Sequence, residues 1–196
     1  MSDSDTSADF VIDQTFADHL DVVAKVRAES MPLIADMAAR LEEVLRNGGK
    51  ICFFGNGGSA ADSQHLATEF VVRFTREREA LASIAFTTDT SLLTACANDF
   101  GFESVFARQV EGLCTERDAV IGISTSGTSA NVVAGLQAAK KIGALSIAFT
   151  AADGAACGEI ADLTFCAPSP VTARAQECHL LVGHILCDLV EAAFSS

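Results

Sequence analysis

Apolar positions recur at helical spacing in FADHLDVVAKVRAES and again in MPLIADMAARLEEVLRNGG, so residues 11–47 read as helical. Ser30 and Pro32 break that stretch into two helices, and Gly48-Gly49 stop the second. After residue 50 the rhythm changes. Short runs, KICFFG, ALASIAF, DAVIGIS, ALSIAFT and ADLTFCA, read as five buried strands. Helical periodicity separates them over 59–73, 90–97, 104–114 and 129–142, and a long apolar helix closes the chain over 173–194. A strand that is followed by a helix and then another strand pairs in parallel, because the helix carries the chain back over the sheet. The expected fold is α/β, a three-layer α/β/α arrangement. It has a five-stranded parallel, doubly wound, flavodoxin-like sheet and added N-terminal helices. One domain is expected over 1–196, with 1–10 as a frayed tail. Such sheets bind ligands at the carboxyl ends of their strands.

Composition narrows the function. Hydrophobic residues make up 49% of the 196 positions and charged ones 20%, enough apolar material for a core. The net charge is −13, from 13 Lys and Arg against 26 Asp and Glu. A nucleic-acid binder needs a positive face to displace counterions from phosphates, so nucleic acid is not an expected partner. Neither is a membrane, since no apolar run reaches the ~18–20 residues that cross a bilayer. The acidic opening MSDSDTSADF is unlike a secretory signal, and a cytoplasmic location is expected. Seven cysteines occur with no C-x-x-C pair, which fits free thiols in a reducing compartment.

Three segments carry candidate chemistry. In FFGNGGSAADSQHLATEF, residues 53–70, Gly55, Gly57 and Gly58 leave a strand and open a helix. Unpaired N–H groups at a helix start can receive an anion, though a tight turn alone would also use these glycines. Further along, His65 and Glu69 are four apart and share a helix face, as an ion-ligand pair or a surface ion pair would. In GISTSGTSANVV, residues 122–133, the hydroxyls of Ser124, Thr125, Ser126, Thr128 and Ser129 gather before a helix. One of them could cap that helix; five exceed what a cap needs and suit a phosphate. In ARAQECHLLVGHILCDLVE, residues 173–191, Gln176, His179 and His184 interrupt an apolar helix. Gln176 and His184 differ by about 80° around the axis, within one broad face. His179 lies elsewhere and is expected to pack or to meet solvent. His65, Glu69, Gln176 and His184 together would make a nitrogen-and-oxygen ligand set acceptable to zinc, without excluding nickel or iron.

These segments, together with TTDTSLLTACANDFGFE, resemble the bacterial phosphoheptose isomerases of the sugar isomerase (SIS) fold, in order from about residue 45 to 191. The resemblance implies a homotetrameric enzyme with zinc in its active site. The implied reaction is isomerisation of sedoheptulose 7-phosphate to D-glycero-D-manno-heptose 7-phosphate, in nucleotide-heptose biosynthesis. The implied zinc ligands are His65, Glu69, Gln176 and His184. The implied substrate contacts are Asn56, Gly57, Gly58, Glu69, Asn98, Asp99, Ser124, Thr125, Ser126, Ser129 and Gln176. The implied acid/base pair is Glu69 and His184. Glu69 is expected to act at carbon and His184 at oxygen, unless the two exchange roles. A ketose–aldose shift needs such a pair, with positive charge beside the developing oxyanion. The chain departs from the family at Ala173, where many relatives carry an acidic residue. A non-catalytic SIS protein that binds the replication initiator is the nearest rival; that branch lacks the residues at Glu69 and His184, which this chain has. Another sugar-phosphate isomerase or binding protein is a further alternative.

Overall fold

Ser30 separates the two N-terminal helices, α1 (Ala8–Glu29) and α2 (Met31–Arg46), and Pro32 sits in the first turn of α2, where its missing N–H costs nothing. The computed structural model describes residues 7–195. The start of α1 falls three residues before the expected position, because the Ser7 hydroxyl accepts the Phe10 N–H (3.2 Å) and caps the helix there. Residues 8–10 are therefore helix rather than tail, and residues 1–6 of the expected tail lie outside the described residues.

Five strands follow: β1 (Ile51–Gly55), β2 (Ser83–Ala85), β3 (Ala119–Ile123), β4 (Leu145–Ala151) and β5 (Leu163–Ala167). They form one sheet in the order β2-β1-β3-β4-β5, with every neighbouring pair parallel. The expected run 80–86 yields only the three residues of β2, an edge strand paired to β1 alone. Among the described residues six further α-helices, with a 3₁₀ turn over Phe102–Ser104, complete the layers: α3 (Gly58–Val71), α4 (Thr90–Phe100), α5 (Val105–Leu113), α6 (Ala130–Ile142), α7 (Ala155–Ile160) and α8 (Thr172–Phe194).

Strand residues alternate between two cores. Ile51, Phe53, Ile121, Ile123, Ile147 and Phe149 pack with α1, α2, α3 and α8. Cys52, Phe54, Val120 and Ala148 pack with α4, α5, α6 and α7. Helices cover both faces, so the central strands β1 and β3 are buried along their whole length, as continuous apolar runs require. The strand order reverses between β1 and β3, which opens a crevice at their carboxyl ends. The glycine turn leaves β1 there, and the serine turn leaves β3.

Candidate active site

Gly57 caps α3 with φ +58°, and no side chain caps that helix. The Ser59 and Ala60 N–H groups donate to the Asn56 and Gly57 carbonyls (3.0 and 3.1 Å), so among the described residues it is the Gly57 and Gly58 N–H groups that remain available to a ligand. Gly58 lies against the tip of Gln176: a Cβ there would stand 2.9 Å from Gln176 Nε2, so a larger residue has to push that amide aside. Asn56 is locked: its amide and that of Asn131, 3% exposed in the first turn of α6, exchange two hydrogen bonds of 2.8 Å each. This amide pair ties the glycine turn to the serine turn.

The metal-competent cluster forms where α3 meets α8. Gly183 lets the helices touch, since a Cβ on it would lie 2.6 Å from both Leu66 methyls. The next residue, His184, then faces His65, with their Nε2 atoms 3.4 Å apart. His65 Nε2 is also 3.1 Å from Glu69 Oε1, one turn along α3. The ligating atoms of His65, Glu69 and His184 all lie within 4.8 Å of one another, close enough to hold a metal ion. Two ring nitrogens at this separation need a proton or a cation between them. Burial, and then His65, push the His184 imidazole below the usual histidine value, with Glu69 and Asp62 opposing. That favours the neutral ring, the form that ligates metals. Asp62 belongs to the same electrostatic neighbourhood: burial raises its carboxyl, and His65 and His184 pull it back. The Phe74 ring stacks on His184, centroids 5.2 Å apart.

The serine turn is a hydroxyl cluster. Ser124, 4% exposed, donates from Oγ to Ser129 Oγ (2.9 Å) and lies 3.4 Å from Ser126 Oγ. Ser126 Oγ accepts from the Thr128 N–H (3.2 Å) and hydroxyl (3.1 Å). Ser129 occupies the N-cap of α6 yet makes no side-chain cap hydrogen bond, so capping does not account for the cluster.

Not every expected residue joins the triad. Gln176 stands against Gly58, seven residues before His65 on α3, about 10 Å along the helix. Asn98 and Asp99 are exposed near the end of α4, where the Asn98 amide donates to the Asp99 carboxylate (2.8 Å). Neither hydrogen-bonds to the triad or the serine turn among the described residues. Sequence reasoning missed Asn131, Asp62 and Phe74. The one available signal was an asparagine beginning an otherwise apolar helical stretch in SANVV.

Comparison with known proteins agrees with this geometry. The SIS domain family model matches residues 15–151. The phosphoheptose isomerase of Roseiflexus sp. strain RS-1 is 50% identical over 190 residues, which span 97% of this chain and 96% of that protein. That of Aquifex aeolicus strain VF5 is 54% identical over 158 residues, 81% and 83% of the two chains. The solved phosphoheptose isomerase of Neisseria gonorrhoeae shares the fold with a TM-score of 0.90 at 38% identity, over 95% of this chain and 100% of that one. Among the described residues no helix is long and apolar enough to cross a membrane. Likeness at this level over nearly the whole length leaves one assignment: the chain belongs to the phosphoheptose isomerase family of SIS-domain proteins and is a sugar-phosphate isomerase.

Proposed function

We propose that the enzyme interconverts sedoheptulose 7-phosphate and D-glycero-D-manno-heptose 7-phosphate through an enediolate. One observation carries the reading: His65, Glu69 and His184 cluster within 4.8 Å on helices packed against the sheet that also presents the serine turn. An imidazole–carboxylate set with a hydroxyl cradle suits proton transfer on a phosphorylated sugar. The names of the relatives support the heptose.

Ser124, Thr125, Ser126 and Ser129, with the uncapped start of α6, would hold the phosphate through hydroxyl and N–H donors. Gly57, Gly58, Gln176, Asn98 and Asp99 would contact the sugar, and Asn56 would shape the turn from its bond to Asn131. Glu69 would take the proton from carbon, and His184 would move the proton at oxygen. A cation bound beside Glu69 would oppose its role as base, because it favours the ionised carboxylate.

The donor set fits zinc. Bonds of about 2.0–2.2 Å in a tetrahedral site set ligand atoms roughly 3.4 Å apart, against 3.1 and 3.4 Å for the two pairs that His65 makes, in a set whose atoms all lie within 4.8 Å. When bound, zinc would supply positive charge beside the carbonyl and the developing oxyanion. Gln176 is proposed first as a substrate contact; to serve as the fourth ligand it would have to leave Gly58. Exposed Phe16, Leu20, Met31, Ile185 and Leu189 on α1, α2 and α8 support self-association, which we propose to be a homotetramer.

Incubating the purified protein with sedoheptulose 7-phosphate, with and without a chelator, tests the proposal. An aldose product that vanishes with chelation and returns with zinc is expected. No aldose under any condition sinks the reading.

A further inference from the structure

The loop that follows α3 is held by a carboxylate buried in α8. Glu191 is 1% exposed, and its oxygens accept the backbone N–H groups of Phe74 (2.8 Å), Thr75 (2.7 Å) and Arg76 (2.8 Å). The Thr75 hydroxyl adds a fourth bond at 3.2 Å. Arg78 Nε lies 3.5 Å from Glu191 Oε1, and both side chains are 1% exposed. Burial alone would raise the Glu191 carboxyl; the hydrogen-bond donors of the loop override it and hold it below the ordinary carboxylate range. Glu191 is therefore ionised beside Arg78.

A buried ion pair is weak evidence for stability in itself, because desolvation offsets much of the attraction. What the pair holds matters more. From Glu191, the Arg78 guanidinium reaches the open end of α3, and Nη2 donates to the Glu69 carbonyl (2.8 Å). Nη1 donates to the Glu79 carbonyl (3.0 Å), which fixes the guanidinium in the loop. Carbonyls in the last turn of a helix lack intrahelical partners, so this bond anchors the backbone that carries the Glu69 side chain. The same loop delivers Phe74, whose ring lies on His184 at 5.2 Å and 29°. Two members of the triad are thus held from behind by one device, Glu69 through its backbone and His184 through its ring face.

We infer that Glu191, Arg78 and Phe74 are positioning residues for the triad, holding Glu69 and His184 at the separation from His65 that captures a divalent cation. The inference rests on reading the triad as an ion site. Groups behind metal ligands commonly matter about 10–100-fold in affinity or activity.

Calorimetric titration of the metal-stripped, full-length chain with zinc chloride tests it, together with kcat and KM on the zinc-loaded enzyme. Phe74→Leu, which keeps an apolar side chain without the ring, should weaken zinc binding about 10–100-fold and lower kcat more than it changes KM. Phe74→Tyr keeps the ring and should restore both. Glu191→Gln should act in the same direction as Phe74→Leu, and the Phe74 pair decides the matter if that variant does not fold. A scaffold role alone would shift the melting temperature and leave zinc affinity and kcat at wild-type values in the folded variants, which overturns the inference. Failure of the wild type to take up more zinc than His65→Ala overturns the ion-site reading, and the inference with it.

Discussion

His179 and His184 stand five residues apart on α8, and the two sides of that helix treat them oppositely. His179 faces the sheet and is fully buried. Its Nε2 lies 2.7 Å from the Thr150 carbonyl, and the rings of Phe149 and Phe165 pack beside it at 5.8 and 6.1 Å. Burial pushes its pKa below the usual 6.5, against the pull of that carbonyl, so the ring is neutral and its Nε2–H donates to the Thr150 carbonyl. His184 faces α3 and meets another imidazole and a carboxylate. Five residues turn a helix by about 140°, and that rotation separates a packed histidine from one that faces the metal-competent cluster. The type of side chain settles little; the surface it faces settles its use.

The sharpest way to break the contrast is to disable the chemical side. Glu69→Gln should reduce turnover of sedoheptulose 7-phosphate by about 10²–10⁴-fold or more, with an unchanged circular dichroism spectrum. Near wild-type rates would remove Glu69 from the base role. The packed side predicts the reverse pattern. His179→Ala should cost about 2–4 kcal/mol in urea unfolding and leave kcat of the folded protein within roughly twofold, since no reacting group depends on it. A large loss of kcat at full folding would erase the distinction between the two faces. The serine turn extends the test beyond α8. Ser126→Ala should raise KM for the phosphorylated substrate by about tenfold, the worth of roughly one charge-assisted hydrogen bond. Unchanged affinity for phosphate esters would reduce the hydroxyls to local turn chemistry.

The smallest effect is a pH dependence that belongs to His179. Its folded pKa is lowered, so below about 6.5 the unfolded chain binds the extra proton more readily. The stability gained from the neutral ring is complete above 6.5 and is lost as pH falls from there toward the folded value. Urea midpoints between pH 7.5 and 5 should therefore fall more steeply for the wild type than for His179→Leu. Parallel curves would show that the ring does not resist protonation.

Much of this was legible before the coordinates. Five apolar runs with helices between them dictated the parallel sheet, and the glycine and serine turns fell at the predicted strand ends. The spacing of His65 and Glu69 suited a surface ion pair as well as an ion-ligand pair, and His184 stood out only as an interruption of an apolar helix; the resemblance joined them, and the fold brings their ligating atoms within 4.8 Å. Gln176 shows where the reading ran out. The angular phase of a helix can be counted from sequence, but not the level at which it meets its neighbour. Gln176 and His184 share a side of α8 and are eight residues apart, about 12 Å of rise, so Gln176 falls beside Gly58 while His184 falls beside His65. Arg78 and Glu191 were invisible, and Asn131 faint, for a related reason. Each gains its meaning from a distant partner or from backbone, with Asn56 75 positions from Asn131 and Phe74 117 positions from Glu191. The helix α7 is six residues long, too short to display a period.

The bare backbone at Gly183 sets the gauge of the slot between His65 and His184 without supplying a donor atom of its own. A methyl group there would meet both Leu66 methyls at 2.6 Å, and where that buried side chain cannot turn aside it acts as a shim between α8 and α3 that lengthens the donor separations across them. Grip on a small ion can therefore be lost at a position that never touches it, with all the gripping atoms still present.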